Sequence, residues 1–181
     1  MGMNPAVGRI RWLLYVFATL LLPACATPIT SPTFNTASGI GPFSSFSGRL
    51  IIIEPAHRWQ VLVDWDAPTA AQGAVRLTHA ASNTVVEFRW QGTAMYMRDS
   101  SNKAWRPIST AQLAAYGIVI APARLADILL GHMPADFHTH GPNTWESKRN
   151  GSLIRLHWYA NRRRLVMADV RHGRQATLII Q

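Results

Sequence analysis

The sequence predicts an α+β fold that is mainly β, in which a strongly curved antiparallel sheet carries short helices on one side. Two observations support this prediction. Apolar and polar residues alternate with a period of two in a series of short segments, which is typical of half-buried strands. Helical spacing occurs only in the middle of the chain. Strands therefore follow strands without alternating with helices, and a parallel sheet is not expected.

Five strands are predicted before the helices. In the second of them, Trp59 and Val61 lie on one face, while Gln60 and Asp64 lie on the other. We expect Pro68 to end that strand, because proline cannot donate a ladder hydrogen bond. The five predicted strands are Phe46–Glu54, Trp59–Trp65, Ala74–Thr78, Thr84–Trp90 and Ala94–Arg98.

The middle of the chain is predicted to form two short helices. Ser109 or Thr110 caps the first, which Gly117 ends, and the second runs from Pro122 to Gly131. A polar loop is expected over roughly 135–150. The predicted closing strands are Ser152–Tyr159, Leu165–Arg171 and Ala176–Ile180.

The predicted elements present wide apolar faces in which Trp, Phe and Met dominate. Such faces enclose either a filled core or a ligand cavity, and the pattern alone leaves both open. The side chains expected to face the interior are Trp59, Val61, Val63, Trp65, Leu77, Val86, Phe88, Trp90, Met95, Met97, Leu125, Ile128, Leu129 and Trp158.

The first 24 residues have the parts of a secretory signal. Arg9 and Arg11 supply positive charge, the run from Trp12 to Leu22 is apolar, and small residues precede Cys25. The apolar run is about half of the roughly twenty residues that a helix needs to cross a bilayer. We therefore predict a cleaved signal peptide over 1–24 and not a membrane span.

Cys25 is the only cysteine of the chain, so it cannot form an internal disulfide. The segment Leu22-Pro23-Ala24-Cys25 resembles a bacterial lipobox, with a leucine three residues before the cysteine and a small residue just before it. The resemblance implies lipid attachment at Cys25. The alternatives are an ordinary cleavage site around Ala24 and Ala26, and a cysteine buried in an uncleaved segment.

The composition indicates one globular domain behind a tether. Residues 26–42 carry no charge and are rich in Thr, Ser and Pro, so we expect a flexible tether over 25–42 and a folded domain over 43–181. Removal of Arg9 and Arg11 reduces the 18 basic side chains to 16, against 9 acidic ones, which leaves a formal charge of +7. This surplus indicates either acidic partners such as anionic lipid headgroups or simply a solvated basic surface, and export argues against nucleic acid.

Several motifs resemble, in order and spacing, those of the outer-membrane lipoprotein receptor family LolB. The helical region carries two of them, Gly117-Ile-Val-Ile-Ala-Pro-Ala-Arg-Leu125 and Leu129-Leu-Gly-His-Met-Pro134. Phe46-Ser-Gly-Arg-Leu50 resembles the opening strand of the family, residues 76–88 its third and fourth strands, and residues 165–180 its closing hairpin. The similarity covers nearly all of the chain beyond the tether.

The resemblance implies an incomplete β-barrel, closed by a helical lid around an apolar cavity, and no cofactor. It implies a monomeric receptor, anchored at the periplasmic face of the outer membrane, that accepts acylated lipoproteins from a LolA-like periplasmic carrier and passes them to outer-membrane lipid. The interior side chains would then line an acyl-chain cavity. The alternative is a non-transporting envelope lipoprotein that uses the fold as a scaffold or protein-docking module.

The sequence departs from the family at the turn that delivers cargo. The family presents an exposed leucine after the third strand, and Ala81 is the matching residue of this membrane-delivery loop. Ile128 stands where the family usually has tryptophan. Ala26, in place of aspartate after the cysteine, is similar to the family signal for outer-membrane sorting.

No catalytic or metal site is predicted. His132, Asp136, His138 and His140 contain ligand types that suit zinc, but they lack a helical metal-binding spacing. No nucleophile elbow or phosphate-binding glycine loop occurs, so we do not expect an enzyme. The run Arg162–Arg164 is either a contact for lipid phosphates or an acidic carrier, or a solvated hairpin tip that blocks edge pairing.

Overall fold

The computed structural model describes residues 39–115, 118–149 and 151–181. The predicted signal peptide, Cys25 and most of the tether lie outside the described residues. Within these ranges, eleven strands and two α-helices follow one another: β1 (Ser45–Ile53), β2 (Arg58–Thr69), β3 (Gln72–His79), β4 (Val85–Gln91), β5 (Ala94–Asp99), β6 (Arg106–Pro107), α1 (Thr110–Ala115), α2 (Pro122–Leu129), β7 (His138–Gly141), β8 (Thr144–Arg149), β9 (Ser152–Tyr159), β10 (Arg164–Asp169) and β11 (Arg174–Ile180).

The strands form one antiparallel sheet in the order β6-β5-β4-β3-β2-β1-β11-β10-β9-β8-β7. Most neighbours are consecutive hairpins, and the pairing of β1 with β11 joins the two halves of the chain. The sheet is not closed, because β6 and β7 remain at its two edges. The prediction of a mainly β, antiparallel α+β fold is therefore confirmed.

The helices begin where the sequence places them. Ser109 caps α1 reciprocally, since the Gln112 amide donates to the Ser109 hydroxyl at 3.2 Å and the Ser109 amide to the Gln112 side chain at 2.8 Å. Pro122 occupies the first turn of α2, and Ile128 and Leu129 are fully buried on its inner face. Among the described residues, no helix is both long and apolar enough to cross a membrane.

Pro68 does not end the second strand, which continues to Thr69. The register shifts between Asp66 and Thr69, so the proline lies in an irregularity where no ladder hydrogen bond is required of it. Ala67, just before it, is fully buried. Because of this bulge, β2 continues past the proline at which the sequence predicts its end.

The predicted polar loop over 135–150 is also wrong, because it contains β7 and β8. In β8 the buried positions are Trp145 and Ser147, and the residues between and beside them are polar. Buried and exposed positions do alternate in β8, but the sequence does not show this because one of the buried residues is a serine.

The packed domain begins earlier than residue 43. Ile40 is fully buried, although the sequence places it in the tether. The Phe43 amide donates to the Leu129 carbonyl at 2.7 Å. Gly41 has a φ of 86°, and a Cβ there would lie 2.0 Å from that same carbonyl oxygen. Only glycine allows the chain to pass so close to the end of α2.

Candidate functional site

The main feature inside the sheet is a cavity of about 470 Å³ with a predominantly apolar wall. Its volume lies within the roughly 300–1,000 Å³ range of small-molecule sites. Strands β1 to β5, β10 and β11 all contribute to the wall, so the sheet curves around the cavity. Residues Ile118 to Ile120, with Pro122 and Leu125 of α2, complete it.

Nine of the predicted interior side chains lie on this wall. They come mainly from β2 and β4, whose alternating positions the sequence assigns to the correct face. The nine are Trp59, Val61, Val63, Trp65, Leu77, Val86, Phe88, Met97 and Leu125.

The other five predicted interior residues do not line the cavity. Trp90 lies below it, with its ring centroid 5.4 Å from that of Trp65, and Trp158 packs 5.8 Å from Phe43. Ile128 and Leu129 of α2 are fully buried, and Met95 packs against the same core. The interior is therefore a filled core at one end and a cavity at the other, so both arrangements left open by the sequence occur together.

Trp90 is fixed in the filled part by a hydrogen bond and a close backbone approach. Its indole N–H donates to the Ala70 carbonyl at 3.0 Å. A Cβ at Gly73 would lie 2.4 Å from the Trp90 ring and 2.8 Å from the Ala67 Cβ. Glycine at this position on β3 is what leaves room for the indole ring against the strand.

Several wall residues are not among the predicted ones. Leu50 and Ile52 come from β1, Met167 from β10, and Ala176 and Leu178 from β11. These strands contain consecutive apolar residues, such as Leu50-Ile-Ile-Ile53 and Leu165-Val-Met-Ala168, so the sequence does not show which face points inward. The segment over 118–120 has no regular periodicity, so nothing in its sequence assigns it to a wall.

The cavity reaches solvent at one end, which we call the mouth. Ser82, Thr84 and Arg106 are exposed and also line the cavity, whereas Trp65 and Phe88 at the opposite end are almost completely buried. The polar side chains of the wall all lie at the mouth: His79, Ser82, Thr84, Asp99 and Arg106. An occupant would therefore meet apolar side chains inside and polar side chains at the opening.

Asp99 anchors the mouth on the β5 side. Its carboxylate accepts hydrogen bonds from the Ser101 hydroxyl and amide, from the Asn102 amide and from the Arg106 guanidinium at 2.9 Å. The Ser101 hydroxyl foremost, and then the Asn102 amide, hold the pKa of Asp99 below its ordinary value. Asp99 is thus charged and engaged at neutral pH.

The turn between β3 and β4 borders the mouth on another side. Ser82 bonds to the His79 ring at 2.9 Å and to the Thr84 hydroxyl at 2.8 Å, and Asn83 adopts a φ of 52°. Ala81, the predicted membrane-delivery position, is exposed on this turn. The turn is therefore well placed beside the opening, but its tip offers only a methyl group.

The histidine and acidic side chains of the His132–His140 region lie in separate pairs and not in one cluster. His132 faces Asp127 at 3.5 Å, and His140 faces Glu146 at 3.6 Å. Asp136 instead accepts hydrogen bonds from Arg124 and, at 2.6 Å, from Ser147. Within the described part of the chain, no group of three or more His, Cys, Asp or Glu side chains could hold a metal ion.

Asp136 links α2 to β8. Burial acts to raise the pKa of its carboxyl, but hydrogen bonds from Arg124 and Ser147 outweigh burial and lower it. Arg124 also lies 4.7 Å above the Phe137 ring. This contact holds the helix that forms part of the cavity wall against the second half of the sheet.

The Arg162–Arg164 run lies at the β9–β10 turn, at the end of the sheet away from the mouth. Arg164 stacks over Tyr159 at 4.0 Å, and Arg163 lies 6.0 Å from the Phe43 ring centroid. Arg162 is exposed. Two of the three cations are therefore packed on aromatic rings.

Comparison with models of known protein families gave no match, and comparison with curated proteins gave none either. The resemblance to the LolB family thus rests on the sequence motifs quoted above and stays a prediction.

Proposed function

We propose that this chain is a lipid-anchored receptor that holds the acyl chains of lipoproteins in its cavity, accepts them from a LolA-like carrier and passes them to outer-membrane lipid. The supporting observation is the apolar cavity of about 470 Å³, open at a polar mouth. An open sheet that curves around such a space is consistent with the incomplete barrel that the resemblance to the family implies. Anchoring at Cys25 and a periplasmic location at the outer membrane belong to the same proposal.

The physical basis of the proposal is the cost of exposing acyl chains to water. Each methylene removed from an apolar environment costs about 0.8 kcal/mol, so an acylated lipoprotein does not leave a membrane or a carrier unaided. A cavity walled by Val61, Val63 and Leu178 offers a comparable environment. Transfer then requires only a difference in affinity between carrier and receptor, without nucleotide or metal.

The wall also suits chains that have no fixed shape. Met97 of β5 and Met167 of β10 both line the cavity, and methionine adapts its rotamers to irregular contacts. The Ile118–Ile120 segment and α2 cover one side without pairing to the sheet as strands. These elements are the ones that would act as a helical lid.

Transfer of cargo tests the proposal directly. A form comprising residues 26–181 is mixed with purified carrier loaded with a radiolabelled lipoprotein, and the cargo is followed by native gel electrophoresis. We expect the label to move from carrier to this protein. If neither cargo nor a fluorescent fatty acid binds, the lipid-handling proposal fails, and a scaffold or protein-docking lipoprotein is the remaining function.

A further inference from the structure

Three hairpin tips lie side by side along the mouth end of the sheet. The β1–β2 hairpin closes at Ile53 and Arg58, and Ile53 also pairs with Gln175 near the start of β11. The β10–β11 turn therefore adjoins it, and a Cβ at Gly173 would lie 3.6 Å from Pro55. The Arg171 guanidinium in turn donates to the Gly151 carbonyl of the β8–β9 tip at 2.8 Å. We call these three tips the rim arc.

The rim arc exposes apolar side chains. Val170 is 47% exposed, more than any other large hydrophobic residue of the described chain. Its amide donates to the Leu153 carbonyl at 2.9 Å, so the backbone is fixed while the side chain stays in solvent. Ile53, on the neighbouring tip, is 36% exposed. Val170 lies in the turn after β10 and Ile53 is the last residue of β1, so both are at the mouth end of the sheet.

The rim arc also carries uncompensated positive charge. Arg58, Arg149 and Arg171 are exposed, and none has an acidic partner within the described residues. The acidic residues of the arc are already engaged, since Glu54 faces Arg174 at 3.8 Å and Asp169 bonds to His172 at 2.6 Å. The charge presented to a partner is therefore positive.

The geometry points to the rim arc as the surface that docks on an anionic lipid bilayer, with Val170 entering the headgroup region and Arg58, Arg149 and Arg171 facing lipid phosphates. Each basic residue near an anionic membrane strengthens binding about fivefold. Valine buries more apolar surface than the methyl group of Ala81 could. This inference deepens the proposed function and rests on it, because docking at the mouth would bring the cavity to the bilayer that receives the cargo.

The opposite end of the sheet provides a comparison. Arg162 is exposed there, yet none of the large hydrophobic residues with high exposure lies beside it. Positive charge alone would favour membrane docking at either end of the sheet. Among the described residues, only the rim arc combines positive charge with an exposed apolar side chain at a hairpin tip. Arg162 is thus a matched charge control for Arg171, and Leu62, 45% exposed in the middle of β2, is a matched apolar control for Val170.

Photo-crosslinking of the full-length chain in vesicles tests the inference. A benzophenone amino acid replaces Val170, Leu62 or Arg162, and lipid adducts are identified by mass spectrometry in phosphatidylcholine vesicles with and without phosphatidylglycerol. We expect adducts at position 170, enhanced by phosphatidylglycerol, and few at positions 62 and 162. Equal labelling at all three positions, or labelling only at 162, would overturn the assignment.

Charge variants examine the basic residues separately. With the crosslinker at position 170, Arg171→Gln should reduce adduct yield severalfold in vesicles containing phosphatidylglycerol, while Arg162→Gln leaves it unchanged. The same loss in both variants would mean that net charge, and not the rim arc, governs docking.

Fatty-acid binding by the same protein separates failure of the docking surface from failure of the acyl-chain cavity. Retained binding of a fluorescent fatty acid with no adducts at position 170 overturns the docking surface but leaves the cavity function standing. Adducts at position 170 without fatty-acid binding overturn the cavity function on which it rests.

Discussion

The indole rings of Trp65 and Trp90 meet with their centroids 5.4 Å apart, and this contact marks the boundary between the two halves of the interior. Trp65 faces the cavity, while Trp90 belongs to the filled core below it. Both rings are at least nine-tenths buried. Trp65 therefore belongs to the floor of the cavity, and Trp90 supports it from the filled core.

Truncation of the lower ring should destabilise the domain. Trp90→Ala is expected to lower the free energy of unfolding by about 3–5 kcal/mol, because a large buried ring and its hydrogen bond are both lost. Tyr96→Ala on the neighbouring strand, where the side chain is 42% exposed, should cost much less. Urea denaturation followed by fluorescence measures both. Equal losses would contradict the placement of Trp90 in the core.

The close approach of β3 to that ring gives a second prediction. Gly73→Ala introduces a Cβ that would lie 2.4 Å from the Trp90 ring, so we expect a loss of about 1–3 kcal/mol from overpacking. Gly141→Ala meets no atom within 4 Å and should change stability little. Thermal denaturation of the two variants makes the comparison. A neutral Gly73→Ala would mean that the ring does not lie against β3.

The start of the packed domain is testable at Ile40. Ile40→Ala should lower the free energy of unfolding by about 2–4 kcal/mol, since the side chain is fully buried in the core. Ile53→Ala removes the same atoms from a side chain that is 36% exposed and should cost less than half as much. If Ile40→Ala proves silent, residue 40 belongs to the tether after all.

Acid should weaken the link between α2 and β8. The folded-state pKa of Asp136 is lowered, so its contribution to stability is fully present above the unfolded pKa of about 4 and is lost as the pH falls through the folded value. The side chain is 40% exposed, so solvent screening keeps the effect small. We expect Asp136→Asn to flatten the decline of stability below pH 4 in urea titrations. An unchanged slope for Asp136→Asn would show that the contact with Arg124 does not stabilise the fold.

The sequence predicts much of the sheet because the signal is local. In β2 and β4, large apolar residues alternate with polar ones, and the predicted inner faces are those found on the cavity wall or in the core. The sequence does not separate wall from core, because Trp65 and Trp90 have the same pattern and only packing in three dimensions distinguishes them. Ile40 and Ser147 are buried without a periodic pattern around them. Ser147 bonds to Asp136, and Ile40 lies just before Phe43, whose amide donates to the Leu129 carbonyl at the end of α2.

Leu62 and Val63 on β2 allow the most direct test of the acyl-chain cavity. Val63 is 3% exposed and lies on the cavity wall, while Leu62 is 45% exposed on the outer face. A fluorescent long-chain fatty acid is titrated into the unsubstituted protein, Val63→Trp and Leu62→Trp, with thermal denaturation as a check that each is folded. We predict that Val63→Trp, whose new ring fills the cavity, raises Kd at least tenfold, and that Leu62→Trp leaves Kd unchanged. Equal affinity in all three proteins, or no binding by any of them, would contradict an acyl-chain site in this cavity.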